Sequence, residues 1–426
     1  MFFLVSCILV VLAFLGAPLF VIILAVAMIG SYSQGVDLSV IPIEIYRITD
    51  APVLVALPLF TFAGYILAES RTSERVVRLS RVFLGWMPGG LAIVSFMACA
   101  LFTAFTGASG ITIVALGALL YPALIQDGYP ENFSIGLVTT SGSLGLLFAP
   151  SLPLILYGII AQQTTAGEGV SIEKLFLAGL LPGLLMLLIL SAWSLWTNRN
   201  MPIQNKRFDL KEAFSALKEA KWEIPLPVFV LGGVYGGFFA ISEAAAVTAL
   251  YVLVVEVFIY REISIKKLPE IMRESMVMVG GILLILGVSL ASTNYLIDAE
   301  IPTRLFTLIQ AYVTEKITFL ILLNILLLML GAILDIFSAL VIMVPLILPV
   351  AVSYDINPIH LGIIFLANMQ IGYFTPPIGM NLFIASYRFK KSIMSLYRST
   401  IPFMLLLLMA VLVITYWPGL SMMLIE

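Results

Sequence analysis

Residues 331–381 read GAILDIFSALVIMVPLILPVAVSYDINPIHLGIIFLANMQIGYFTPPIGMN. In an otherwise oily run they hold one acid, Asp335, a set of Ser, Thr and Asn side chains, and the helix-breaking string Gly372-Tyr373-Phe374-Thr375-Pro376-Pro377. A broken helix inside a bilayer leaves backbone N–H and C=O groups without partners, and such backbone is tolerated only where protein encloses it. Discontinuous helices of this kind hold ions and substrate in secondary transporters. The segment is therefore expected to form half of a transport site.

The composition supports a lipid-solvated chain. Of 426 residues, 61% are hydrophobic and 11% charged, and the mean hydropathy is +1.11; a soluble domain carries about 25% charged residues. A net charge of −2 excludes a basic face for nucleic acid. Cys7 and Cys99 lie inside apolar runs and read as small buried hydrophobes, and the single histidine, His360, cannot build a zinc site or a Ser-His-Asp triad. Residues 1–29 are apolar with no Lys or Arg before Arg47, so they read as a retained transmembrane helix and not as a signal peptide.

Apolar stretches long enough to cross occur near 1–30, 50–68, 175–197, 224–241, 243–260, 275–297 and 400–424. Most of the 22 lysines and arginines fall in the loops 71–81, 198–223, 260–274 and 387–398. The positive-inside rule places these loops in the cytoplasm, with the N-terminus inside and the C-terminus outside. Residues 90–126 and 317–352 are too long for one crossing, about 54 Å as straight helix. Each is interrupted in its middle, by Thr106-Gly107-Ala108-Ser109-Gly110 and by Leu334-Asp335-Ile336-Phe337-Ser338. A re-entrant hairpin fits both. Each is followed by a second interrupted segment, 134–163 and 359–386, broken at 145–151 and 372–377.

The punctuation repeats. Pro122 and Pro349, Gly145 and Gly372, and Pro150 and Pro377 each stand 227 residues apart. The charge map puts the first hairpin on the cytoplasmic side and the second on the outer side, so the expected fold is an all-α polytopic membrane protein with two inverted repeats. The expected divisions are scaffold helices and an arm over 1–89, a first hairpin and broken helix over 90–163, further scaffold over 164–316, a second hairpin and broken helix over 317–391, and a C-terminal helix over 392–426. Arg71, Arg75 and Arg78 fall on one face of 71–83, opposite Val76, Leu79 and Phe83; with Leu210, Phe214 and Leu217, and Leu305, Leu308 and Tyr312, they read as amphipathic arms at the interface. On this reading Arg75 is replaceable, and Glu256, near a basic loop, snorkels.

Asp335 sits in the middle of an apolar run, where an acid faces a cavity or a partner; capping the broken helix end and contacting a ligand or cation both remain open. Glu243, heading Glu-Ala-Ala-Ala, reads as part of a helix cap. Thr106, Ser109 and Thr112 cluster at the first hairpin tip, where hydroxyls and freed carbonyls suit a bare sodium ion and half-helix N-termini suit an anion.

At these residues the chain resembles the large membrane subunit of the TRAP (tripartite ATP-independent periplasmic) transporters. The resemblance rests on Leu334-Asp335, Phe374-Thr375-Pro376-Pro377-Ile378-Gly379-Met380-Asn381-Leu382 and Ser386. It is supported by Gly232-Gly233-Val234-Tyr235-Gly236-Gly237 with Glu243-Ala244-Ala245-Ala246, and by Gly145-Leu146-Leu147-Phe148-Ala149-Pro150-Ser151-Leu152-Pro153. It implies a sodium-coupled importer of small organic acids in the bacterial inner membrane. An elevator motion would carry a transport domain against a scaffold, with a small membrane subunit as a separate chain and a periplasmic binding protein delivering substrate. One sodium site would then use Thr106 and Ser109 with carbonyls of Gly145, Phe148 and Pro150, and the other Gly331 with Gly372 and Thr375. Substrate would lie near Ser109, Ser151 and Asp335. The chain departs from the family pattern at Ala149, where relatives have a second proline, at Ile241-Ser242 in place of Pro-Thr, and at Ile336-Phe337 in place of Thr-Thr. The last puts bulk beside Asp335. A channel would want a ring of filter residues and an intramembrane enzyme a second buried acid, yet Ala108 stands at the position matching Asp335.

Overall fold

The computed structural model describes residues 9, 11–12, 15–47, 49, 51–84, 87, 89–199 and 209–425. Cys7 and much of the expected first span lie outside them. The described residues form helices and loops without a strand. In chain order the helices are α1 (Leu19–Ser33), α2 (Val40–Arg47), α3 (Ala56–Glu69), α4 (Thr72–Leu84), α5 (Gly90–Thr106), α6 (Ser109–Gln126), α7 (Glu131–Ser141), α8 (Leu152–Gln162), α9 (Ile172–Thr197) and α10 (Leu210–Glu219). There follow α11 (Pro225–Tyr235), α12 (Ile241–Leu253), α13 (Leu268–Asp298), α14 (Ile301–Gln310), α15 (Lys316–Ile333), α16 (Ile336–Ser353), α17 (Pro358–Gly372), α18 (Met380–Phe389), α19 (Ile393–Tyr416) and α20 (Gly419–Met422).

Eight helical stretches among the described residues are long and apolar enough to cross a bilayer. The crossing expected at 224–241 is not one of them. α11 has 11 residues, about 16 Å, and stops because the N–H groups of Phe238 and Phe239 both return to the Gly233 carbonyl, at 3.0 and 3.1 Å, closing a turn. α12 continues into a π-helical segment, Val254–Ile259.

Both long interrupted stretches break into two helices at the expected residues. α5 ends and α6 begins across Gly107-Ala108; α15 ends and α16 begins across Leu334-Asp335. Gly107 takes a left-handed conformation (φ 66°), and a Cβ there would run into Leu152, so the first tip requires glycine twice over. The two broken crossings follow in the same order: α7, a 3₁₀ turn (Leu144–Leu147) and α8 with a 41° bend, and later α17 and α18 joined through 373–379. The Ala149-Pro150 and Pro376-Pro377 bonds are both cis.

α9 and α19 pack with this body. Phe133 of α7, Trp193 of α9 and Phe403 of α19 form an aromatic knot whose tightest pair, Trp193–Phe403, is edge-on at 4.9 Å, with Phe96 of α5 against Phe403. A second group, α1, α2, α3, α12 and α13, packs mainly on itself. It meets the hairpins where Gly64 of α3 abuts the Phe105–Thr106 backbone and where Ser289 of α13 donates to the Val341 carbonyl (3.0 Å).

The arm at α4 corrects two expectations. Arg75 is buried, 5% exposed, and not on a free face. Its guanidinium is ion-paired with Glu223, Glu262 and Glu256 (3.2 Å to the last), and stands 4.0 Å over the Tyr260 ring. Glu256 does not snorkel: it is 1% exposed and also accepts a hydrogen bond from Thr72 (2.9 Å). Burial opposes the charge on Arg75, but the bond to Glu262 and the charges of Glu223 and Glu256 outweigh it and hold its pKa above the ordinary arginine value. The arm is thus clamped to the π-helical end of α12. In α10, by contrast, Leu210 and Phe214 are exposed and Ala213 and Ala216 buried, an apolar face left outward.

Candidate functional site

Each hairpin tip meets the break that follows it in sequence. In the first half, Gly145 lies so close to the Ala100 carbonyl and the Ala104 amide that a Cβ there would collide with backbone. Leu152 covers Gly107, which brings the 148–151 break to the Thr106 tip. Thr103 donates to the Gly142 carbonyl (2.8 Å) and shares a 2.7 Å hydrogen bond with Thr112. In the second half, a Cβ on Gly372 would strike the Gly331 backbone, and the Gly379 N–H donates to the Ala332 carbonyl (3.0 Å). Only glycine permits this approach of α15 to α17.

The halves also interlock. Ser109 donates its hydroxyl to Asn381 Oδ1 (2.8 Å), whose amide reaches the Thr139 carbonyl (3.4 Å). Ser143 donates to the Gln370 carbonyl (3.0 Å), and these residues stand 227 apart, the spacing of the sequence repeat.

Between the tips opens a cavity of about 520 Å³, within the range of small-molecule sites. Gly107, Ser109, Asp335 and Tyr373 line one side; Tyr65 and Glu69 of α3, with Glu274 and Met278 of α13, line the other. The cavity therefore lies between the hairpin body and the second helix group.

Of the expected substrate residues, the cavity gathers Ser109 and Asp335. Asp335 is the N-cap of α16: Oδ1 accepts from the Phe337 and Ser338 amides at 3.0 Å each, and Oδ2 pairs with the Ser338 hydroxyl. The Ile336 amide donates to Tyr373 Oη (2.8 Å), so the first amides of this helix are all answered. Ser151 is not on the cavity wall; it is fully buried at the N-cap of α8.

Of the expected sodium ligands, Thr106 is fully buried, and its hydroxyl, like that of Ser151, has no hydrogen-bond partner among the described residues. A buried hydroxyl without a partner is costly, and its oxygen lone pairs suit a hard cation. Thr375 instead donates to its own helix at Ile371 (2.8 Å), leaving its lone pairs free. Gly331 and Gly372 make the backbone approach just described. Phe148 turns its ring against Gly183, so only its carbonyl can serve, and Pro150 follows the cis bond. Glu243 accepts from the Ala240 N–H (2.9 Å), a capping role as read from sequence. Cys99 is free and buried, and His360 is buried between Ser421 and the Thr415 carbonyl.

Sequence reasoning missed Tyr65, Glu69, Glu274, Tyr373 and Asn381. The last two stand inside the quoted stretch: Tyr373 was read as part of the helix-breaking string, and Asn381 as one of its polar side chains with no role assigned. Glu69 and Glu274 sit near helix ends beside basic loops, where acids ordinarily belong to solvent.

Residues 6–420 match the family described as the tripartite ATP-independent periplasmic transporter, DctM component. This chain belongs to that family. It is 33% identical over 378 residues to the C4-dicarboxylate TRAP transporter large permease protein DctM of Rhodobacter capsulatus, covering 87% of this chain and 86% of that one. It is 34% identical over 371 residues to the isethionate TRAP transporter permease protein DctMQ of Oleidesulfovibrio alaskensis, covering 87% of this chain but 57% of that longer one. The ectoine/5-hydroxyectoine large permease UehC of Ruegeria pomeroyi is 29% identical over 97% of this chain and 96% of its own. Among solved structures, the Alcanivorax borkumensis YdaH transporter superposes with a TM-score of 0.61 at 14% identity, covering 87% of this chain and 85% of that one; it shares the fold. The protein is a TRAP transporter large permease, a multi-pass helical membrane protein.

Proposed function

We propose that this permease imports a small organic acid, a carboxylate or related anion, coupled to inward sodium movement by an elevator motion. The observations that carry the reading are the packing of each helix interruption against the break that follows it, the cavity that opens between the two tips, and the Thr106 and Ser151 hydroxyls, buried and unpaired among the described residues near the first break. Hydroxyl and carbonyl oxygens are what sodium takes in place of water. Thr106 and Ser109 with the carbonyls of Gly145, Phe148 and Pro150 would form one ion site, and Gly331, Gly372 and Thr375 the other. Substrate would lie between the tips, against Ser109 and Asp335 and toward Ser151.

The division of packing supports an elevator. The hairpins and breaks would move as one body over 90–163 and 317–391. α9, which falls in the expected scaffold segment 164–316, and α19 are held to that body by the Trp193–Phe403 contact, and we assign both to it. α1–α3, α12 and α13 would be the scaffold, braced by the Arg75 clamp. The two halves would be inverted repeats, with the N-terminus cytoplasmic and the C-terminus periplasmic in the bacterial inner membrane. A small membrane subunit and a periplasmic binding protein would complete the system, as the family description implies; in the DctMQ relative the extra length leaves room for a fused small subunit.

Sodium binding tests the reading. Titrating sodium at constant ionic strength against potassium should raise the unfolding temperature of the permease by several degrees. An equal response to both ions would remove the coupling ion from the proposal.

A further inference from the structure

The two hairpin tips present opposite charge to the same cavity. At the first tip, α6 begins after Ala108, no side chain caps it, and Ser109, Gly110 and Ile111 of its first turn line the cavity wall. Its first amides are without side-chain partners, so this end carries the partial positive charge of an open helix start. At the second tip the same kind of helix start is closed. Asp335 and Tyr373 Oη accept all three leading amides of α16, and the residues that line the cavity there are the acid Asp335 and the neighbouring Phe337.

The opposite wall extends the contrast. Every charged side chain lining the cavity is a carboxylate: Asp335, Glu69 and Glu274. Glu69 is answered by an ion pair with Lys267, which is not itself on the wall. Glu274 is solvent-exposed at the cavity rim, close enough to Lys267 for the two charges to interact but without a hydrogen bond or ion pair of its own among the described residues. No lysine, arginine or histidine among the described residues lines the cavity. A dicarboxylate held here could set one carboxylate on the α6 start, but its other would face Asp335 and Glu274.

From this polarity we infer that the cargo is a zwitterion, with its carboxylate at the open start of α6 beside Ser109 and an ammonium or amidinium group toward Asp335 and Glu274. The inference rests on the transport reading above and narrows its substrate class. A cationic group answers the two carboxylates, and the acid function keeps the one positive helix end that the described lining residues themselves supply, besides the proposed sodium ions. The volume suits a molecule of this size, since about 520 Å³ is ample for a single small ring or a four-carbon chain.

Equilibrium titration of the permease with its small subunit in nanodiscs, in sodium buffer and again in potassium buffer, tests this. The matched probes are 4-aminobutyrate against succinate, nearly equal in length and differing in one charged end, together with ectoine as a cyclic amidinium carboxylate and isethionate as a simple anion. At least one zwitterion should bind ten or more times tighter than succinate and isethionate. Glu274→Gln, which breaks no hydrogen bond or ion pair among the described residues, should reduce that ratio several-fold, and so should Asp335→Asn, which keeps an acceptor at the cap. Tighter binding of succinate or isethionate, still dependent on sodium, would overturn the zwitterion and leave the transport reading standing. So would a ratio unchanged in both variants. Binding of no probe in either buffer would overturn both.

Discussion

The hydroxyl of Ser109 donates to Asn381 Oδ1 across 2.8 Å, and this bond joins the first hairpin tip to the second broken crossing. Asn381 is fully buried and its amide reaches on to Thr139 in the first broken crossing. One side chain thus ties three of the four discontinuous segments, and it sets the direction in which Ser109 presents its oxygen to the cavity.

Asn381→Ala is expected to leave Ser109 Oγ and the Thr139 carbonyl without partners, at a cost of about 1–3 kcal/mol for each buried unsatisfied group. Uptake should fall tenfold or more while the protein remains monodisperse and inserted. Asn381→Asp, which keeps the acceptor, should retain more of it. Equal loss in both would remove the hydrogen bond to Ser109 from the explanation.

Thr106→Val separates ion binding from folding. The hydroxyl has no protein partner, so an isosteric methyl removes no hydrogen bond and the unfolding temperature in potassium should stay the same or rise. The sodium concentration giving half-maximal stabilisation should increase several-fold. A variant with wild-type sodium response would take Thr106 out of the ion site.

Gly372→Ala must push a methyl into the Gly331 backbone. Backbone cannot yield as a flexible side chain does, and overpacking of this kind costs about 1–3 kcal/mol. Thermal unfolding should register the loss. Gly232→Ala, where nothing stands near the added Cβ, is the control and should unfold as wild type.

Arg75→Ala should be severe. It would leave Glu256, 1% exposed, without its cation, and breaking a buried pair from one side costs about 3–5 kcal/mol. Arg78→Ala removes a half-exposed pair with Glu219 and an exposed hydrogen bond to Ser215 (3.3 Å) and should cost no more than about 1 kcal/mol. Expression level and detergent unfolding temperature of the two variants check the contrast.

The helix interruptions were legible because glycine, proline and polar residues interrupt apolar runs only where the backbone has a reason to stop; Gly145 and Gly372, 227 residues apart, both stand where a Cβ would strike a neighbouring backbone. Arg75 was misread for a physical reason: helical periodicity gives the face a residue occupies and says nothing of what covers that face. Its partners Glu223, Glu256 and Glu262 come from segments far along the chain. Glu69 and Glu274 are exposed, as acids near helix ends ordinarily are, and the sequence does not show that the fold sets them on the rim of a cavity. Asp335 was open between cap and ligand contact in sequence. In the structure it caps α16 and also lines the cavity.

The most direct test of the account is uptake into proteoliposomes containing the permease and its small subunit, with the cognate binding protein outside and labelled substrate offered with and without an inward sodium gradient. The account predicts saturable accumulation that requires both the gradient and the binding protein. Sodium-independent flux of many solutes would contradict it and point to a channel.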